Sequence, residues 1–393
     1  MKFERLLKGG LALAMSVMMV ACANESTGTT TNEGSATSTA TGYEGSGDLT
    51  SFKLGTLGPR TGSVAVYGLA VTNAARLAVD DWNAAHGTKI EMIYEDTQAN
   101  ETQALNIYNK FVSDDKVAAI IGGTISSESI AIAGASSDTG IPIISPSATA
   151  AAFTNDSGNN VFRGCYTDPQ QAQLVADFAI DTLGVKKAAI LYNMSDDYSA
   201  GLEESFKKEF EAKGGTVVIS ESYPADTVDF RTQLTKISGE DIDVLFVPNY
   251  YQDDFNITQQ ARELGITAQI LGCDGWDGVL SVAGNNASVL EGAVFINQYS
   301  PDMESVQGIM EAYRKAYNEE INSFGINAYD ATMLVLNAIE KAGSLKAEDI
   351  NAQIRSTEYQ GILGSIKFDE NGDPIKTPIY VTIKDGQYVT YGK

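Results

Sequence analysis

The sequence predicts an α/β fold of two lobes, each a parallel sheet covered on both faces by helices. Three observations carry that expectation. Short apolar runs alternate with helix-length segments; the alternation fills two successive blocks, residues 49–164 and 165–296; and 393 residues with 43% hydrophobic content exceed what one core usually gathers.

Ahead of the first block lies a different kind of sequence. Lys2, Arg5 and Lys8 precede an uncharged apolar run over residues 9–21, and Cys22 follows. The pattern predicts a secretory signal over 1–21, too short to span a bilayer, with the small Ala21 suiting cleavage and Cys22 suiting lipidation. Residues 22–48 are dominated by Ser, Thr, Gly, Ala, Asn and Glu, with Tyr43 the one large apolar side chain. Such a composition predicts a flexible tether reaching about 25–30 Å, so the expected address is the outer, extracellular or periplasmic, face of a membrane.

Within the two blocks, strands are expected over 52–57, 89–94, 118–121, 142–144, 188–192, 216–220, 244–247 and 270–271. The clearest helix covers 69–85, where Ala70, Ala74, Leu77, Ala78 and Trp82 form an apolar stripe and His86-Gly87 ends it. Beyond the second block the pattern changes to consecutive helices over 304–319, 326–342 and 347–355. The tail then reads as strands turning at Asn371-Gly372 and Asp385-Gly386. A helical block after two sheet blocks must pack on one of them.

The net charge is -24, and removing residues 1–21 makes it -26, which argues against a nucleic-acid partner and for a soluble, solvated surface. The inventory for catalysis is poor. The single histidine, His86, stands at a helix end beside a glycine, where capping is expected. No GxSxG, Walker A or HExxH pattern occurs, so neither an enzyme nor a cofactor or metal site is expected. Residues 369–374 hint at a calcium loop, but Pro374 stands where its turn glycine belongs, and a β-turn is expected instead. Cys165 and Cys273 have no metal-binding spacing and are expected as free thiols.

What remains is a set of polar and aromatic residues at the carboxyl ends of expected strands, where doubly wound sheets bind ligands. One strand runs into Gly122-Gly123-Thr124-Ile125-Ser126-Ser127 and another into Ser145-Pro146-Ser147-Ala148-Thr149. Hydroxyls and free N–H groups at helix starts suit a carboxylate, although serines there also serve as N-caps. The second block offers Asp196-Asp197-Tyr198, Asn249-Tyr250-Tyr251 and Cys273-Asp274-Gly275-Trp276-Asp277 at equivalent ends. An acid there can accept hydrogen bonds from an ammonium while aromatic faces enclose an apolar body; a turn acid and core tyrosines are the competing assignment.

Gly58-Pro59 with Tyr67-Gly68, Ser126-Ser127, the run 144–149, Phe162-Arg163, Tyr250-Tyr251 and Asp274-Gly275, in that order and spacing, resemble type I periplasmic binding proteins of the leucine/isoleucine/valine branch. The likeness covers residues 49–393, and Met19-Val20-Ala21-Cys22 resembles a lipobox. The resemblance implies two Rossmann-like lobes joined by three crossings, near 164, 297 and 362. Lobe 1 would comprise 49–164 with 297–362, and lobe 2 would comprise 165–296 with 363–393. By the same resemblance Ser126 with Ala148 and Thr149 would hold a ligand carboxylate, the Ala148 carbonyl with Asp274 would hold its ammonium, and Ser127 would belong to the same binding set. Tyr67, Tyr198, Tyr250 and Tyr329 would wall the side-chain pocket. The implied function is amino-acid capture for the permease subunits of an ABC importer by a monomer; the alternative is a sensor passing an amino acid, amide or aromatic acid signal to a membrane receptor.

Overall fold

The structure, a computed structural model, describes residues 42–155 and 158–392. The expected signal over 1–21, Cys22 and the tether up to residue 41 lie outside the described residues. Residues 42–48 do not behave as tether. Tyr43 packs against the core cluster that contains Val117 and Ile120 and donates its hydroxyl to the Val117 carbonyl (2.7 Å), and the short strand β1 (Gly47–Asp48) folds antiparallel onto β2 (Ser51–Gly58). The single large apolar side chain of the expected tether gives its end something to bury.

β2 lies parallel to β3 (Glu91–Asp96) on one side and to β4 (Ile120–Gly122) on the other, followed by β5 (Ile143–Ser145) and β6 (Val161–Arg163). Leu54, Ile121 and Ile144 point to one face, and Leu57, Ile120 and Ile143 to the other. Both faces are therefore buried, as the unbroken apolar runs require. Helix α1 (Ala65–His86) covers the first face; α2 (Glu101–Lys110) and α3 (Ser126–Ser136) cover the second. The expected stripe on α1 is buried at Ala70, Ala74, Ala78 and Trp82. The His86 ring stacks on Trp82, and Gly87, left-handed at φ 69°, returns its N–H to the Asn83 carbonyl.

The second sheet repeats the plan. β7 (Lys187–Asn193), β8 (Thr216–Tyr223), β9 (Val244–Phe246), β10 (Gln269–Gly272) and β11 (Val294–Asn297) lie parallel in the order β8-β7-β9-β10-β11, equivalent to β3-β2-β4-β5-β6 of the first sheet. In each sheet the order reverses beside its first parallel strand, which creates a crevice at the carboxyl ends of β2 and β4 and of β7 and β9. Helices α4 (Ala152–Asn155), α5 (Asp168–Asp177), α6 (Asp197–Ala212), α7 (Arg231–Ile237), α8 (Tyr251–Glu263) and α9 (Val279–Ala283) complete the two blocks.

After β11 come α10 (Gln307–Tyr317), α11 (Ser323–Ala342) and α12 (Ala347–Ser356). Leu334, Val335, Ile339, Ile350 and Ile354 join Leu54, Val79 and Ile121 in the first-sheet core, so the helical block returns to the first sheet. The hairpin of β12 (Tyr359–Gly361) and β13 (Gly364–Ile366) stays there, because Ile366 and Phe368 pack in the same core. The last passage therefore occupies residues 374–378, later than 362. β14 (Ile379–Lys384) then joins β11 antiparallel, and β15 (Gln387–Thr390) returns through Asp385-Gly386, both left-handed as a tight hairpin demands. Around Asn371-Gly372 the chain makes a turn in which Asp369 accepts the Asn371 and Asp373 N–H groups. Cys165 and Cys273 are free and buried.

Candidate functional site

The crevice between the sheets is built from both sets of strand ends. On the first lobe, Ser145 donates to the Gly123 carbonyl (2.7 Å) and Ser147 to the Thr124 carbonyl (2.7 Å), so hydroxyls zip the loop after β5 to the loop after β4. Ser126, at the start of α3, accepts the Ala150 N–H (3.3 Å). Beneath them the buried Glu128 accepts the Thr124 and Ile125 N–H groups (2.8 and 3.2 Å), and burial raises its pKa to about 7. These bonds hold the two loops against each other, with Thr124, Ser126 and Ser147 at the cavity.

On the second lobe, Asp274 opens a short 3-10 turn at the end of β10. Its Oδ1 accepts from Gln171 Nε2 (3.0 Å) and the Tyr198 hydroxyl (3.0 Å), while Gln171 Oε1 accepts the Asp274 N–H (3.1 Å). Its buried Oδ2 has no hydrogen-bond partner among the described residues. Burial pushes the Asp274 carboxyl from 3.8 to about 6, with the Gln171 and Tyr198 hydrogen bonds pulling it back. Tyr198 and Tyr250 stack with centroids 5.1 Å apart and planes 6° from parallel. Glycine is required at 275, where a Cβ would stand 2.2 Å from the Asn249 carbonyl oxygen.

Tyr67 of α1 crosses the crevice. Its hydroxyl donates to the Gly275 carbonyl and accepts the Tyr251 N–H (3.0 Å), both on the second lobe. Its ring meets Tyr250 edge-on at 5.8 Å and Phe324 at 4.6 Å. Together these groups line a tight cavity of about 10 Å³, the room of a single water, so a solute fits only where the lobes or side chains part. The first lobe contributes Tyr67, Thr124, Ile125, Ser126, Ser147 and Phe324; the second contributes Tyr198, Tyr250, Asp274 and Gly275. One side is lined by hydroxyls and backbone, the other by a carboxylate and two stacked rings.

Of the residues expected from sequence, Tyr67, Ser126, Tyr198, Tyr250 and Asp274 meet at this cavity. The others stand elsewhere. Ser127 is half-buried on α3, outside the lining. Thr149 is buried on the far side of the same loop, next to the first turn of α5, where its carbonyl accepts the Asp168 N–H (2.8 Å). Ala148 turns its carbonyl to the buried guanidinium of Arg163 (2.6 Å) and to the Cys165 thiol, which takes up both lone pairs. A carbonyl facing a guanidinium is a poor host for a second cation. Tyr329 also stands outside the lining: its hydroxyl donates to Asp81 on the surface of α1 (2.9 Å), and Phe324, five residues earlier on α11, supplies the ring at the cavity. Trp276 lies in the core and donates to the Val247 carbonyl.

Comparison with known proteins fits this geometry. The model of the family described as "Periplasmic binding protein" matches residues 51–387. The chain is 30% identical over 332 residues to the Leu/Ile/Val-binding protein BraC3 of Rhizobium johnstonii, covering 81% of this chain and 88% of that one. The crystal structure of the leucine-binding protein LivK from Thermotoga maritima superposes with a TM-score of 0.81 at 31% identity, covering 86% of this chain and 97% of that one. The branched-chain amino acid transporter substrate-binding protein LivJ from Streptococcus pneumoniae, solved with isoleucine, gives 0.79 at 30% identity over 86% and 99%. With two sheets of the same strand order meeting at a polar, aromatic-walled crevice, this chain belongs to the periplasmic binding protein family, whose members are non-enzymatic solute-binding proteins.

Proposed function

We propose that this protein is the solute-binding component of an ABC importer and takes a branched-chain or similar aliphatic amino acid in the crevice between its lobes. The observation that carries the reading is the opposition of two chemistries across one small cavity: Ser126 and the neighbouring loop on the first lobe, and Asp274, whose buried Oδ2 has no hydrogen-bond partner among the described residues, on the second. A zwitterion has an end for each. Its carboxylate would sit at the start of α3, where hydroxyl and N–H groups and the helix dipole favour an anion, and its ammonium would pair with Asp274. Tyr67, Tyr198, Tyr250 and Phe324 would enclose the aliphatic side chain. Because the two ends are gripped by different lobes, such a ligand binds the closed form better than the open one, which is the condition for shifting the hinge equilibrium. Relatives that bind leucine, isoleucine and valine support the choice of ligand class.

The same reading extends to address and partners. Cleavage before Cys22 and lipidation of its thiol would hold the protein at the outer membrane face, where permease subunits receive the closed, loaded form. Isothermal titration calorimetry of the purified protein against the twenty amino acids tests the core of the proposal. One-site binding of leucine, isoleucine or valine is expected, and silence across all twenty would remove it.

A further inference from the structure

The segments that pass between the lobes meet around one ammonium. Lys376, in the last passage, donates to Gln298 Oε1 (2.9 Å), the residue after β11, and to Asn327 Oδ1 (3.0 Å) on α11 of the first lobe. Asn327 donates in turn to the Pro146 carbonyl (3.1 Å), in the loop that continues into Ser147 at the cavity. The first passage closes the ring: Gly164 lies against Pro146 and the Asn327 carbonyl. Gln298 and Asn327 are both buried.

We propose that Lys376 is a positioning residue for lobe closure: its ammonium ties the second passage to α11 and, through Asn327 and Pro146, to the ligand loop, so that loss of its charge loosens the hinge and weakens solute binding at a distance. An ammonium offers three donors on one point charge, which a neutral side chain in this place cannot match. Its direct partners are amide oxygens, so its charge is held by dipoles and not cancelled by a contacting carboxylate. Asp330, on α11, is the acid that supports it, with its oxygens already accepting the Ile362 and Leu363 N–H groups. Burial nevertheless lowers the Lys376 pKa to about 8. The remaining charged or titratable groups at this junction are Asp373, which is engaged by Arg163 (2.6 Å), Arg163 itself, the Tyr166 hydroxyl, which donates to the Thr377 carbonyl (2.8 Å), and the Cys165 thiol; burial raises the Tyr166 and Cys165 pKa values far above the usual range. Between pH 7 and 9 the proton that leaves the junction is therefore the one on Lys376.

The test measures the lobe-to-lobe distance by double electron–electron resonance, with spin labels at the exposed Ser137 and Lys208, and isoleucine affinity by calorimetry, at pH 7 and 9. The affinity arm rests on the solute-binding reading; the ligand-free distance arm does not, so wild-type protein that ignores isoleucine, leucine and valine sinks that reading while the distances still judge Lys376. Expected for K376M is a broader, longer ligand-free distribution at pH 7, affinity lower by about ten-fold, the scale of one hydrogen bond to a charged group, and no further change by pH 9. Wild type should drift toward that behaviour at pH 9, and K376R should hold the pH 7 behaviour throughout. A K376M distribution and pH profile identical to wild type overturn the proposal, as does an affinity loss with unchanged distances. Should K376M fail to fold, the comparison of wild type with K376R decides: no difference between them from pH 7 to 9 overturns it.

Discussion

Replacing Asp274 by Asn separates the cost of the site from its use. The substitution keeps the shape and leaves an oxygen that can still accept from Gln171 and Tyr198, the two bonds now made by Oδ1. What it removes is the carboxylate charge, including that on the buried Oδ2, which has no hydrogen-bond partner among the described residues. The loss of a hydrogen bond to a charged group predicts affinity for a branched-chain amino acid weaker by about 1.5–3 kcal/mol, roughly ten- to hundred-fold. The ligand-free protein should respond in the opposite sense. The folded-state pKa of about 6 lies above the ordinary 3.8, so the folded form holds this proton more tightly, and that stabilisation is lost as pH rises through 6. At about 1.4 kcal/mol per unit, the ionised carboxylate costs the ligand-free fold on the order of 3 kcal/mol at pH 7. D274N should therefore melt higher than wild type at pH 7 without ligand, and by a smaller margin at pH 5. Calorimetry and a paired thermal melt read both effects. Unchanged affinity, or a lower ligand-free melting temperature at pH 7, would refute the reasoning.

Three further outcomes are expected. Amino-acid affinity should be highest near pH 7 and fall as pH drops through 6 and Asp274 takes up a proton, while D274N should show no such fall on the acid side; pH-resolved calorimetry checks both. Tyr67→Phe deletes the hydroxyl that joins the Gly275 carbonyl to the Tyr251 N–H across the crevice, and leaving these buried groups unpaired should weaken ligand binding by about 1–3 kcal/mol with the fold intact by circular dichroism. Tyr43→Ala removes the Val117 hydrogen bond and a partly buried ring, so it should lower stability by roughly 1–2 kcal/mol in a urea melt while affinity stays within error.

The architecture was legible because its central strands are buried on both faces and so read as short apolar runs such as Ile120-Ile121 and Ile143-Ile144. β6 was not, since Val161–Arg163 ends in a charged residue straight after two apolar ones and gains its strand character from pairing with β5. At the site, position along the chain was informative where a strand end dictates direction: Ser126 and Asp274 follow β4 and β10 and point where doubly wound sheets place ligands. It failed where a helix face decides. Phe324 and Tyr329 share α11, but five residues turn the helix well past the same face, so one ring reaches Tyr67 and the other Asp81. It failed again at Ala148, whose backbone gives no hint that Arg163 will claim its carbonyl from 15 residues away. The Tyr43 anchor was foreshadowed only by being the one large apolar residue in a stretch otherwise able to stay in water.

The Tyr67 hydroxyl also bears on how honestly closure reports occupancy. Its bonds to the opposite lobe need no cargo, so part of the roughly 5.5 kcal/mol that separates a mostly open from a mostly shut population is supplied by the protein itself. Were the closed form to dock on a transporter, molecules shut without cargo would compete there with loaded ones. A transporter served by this protein would have to tell the two apart after docking, or accept a standing fraction of fruitless encounters.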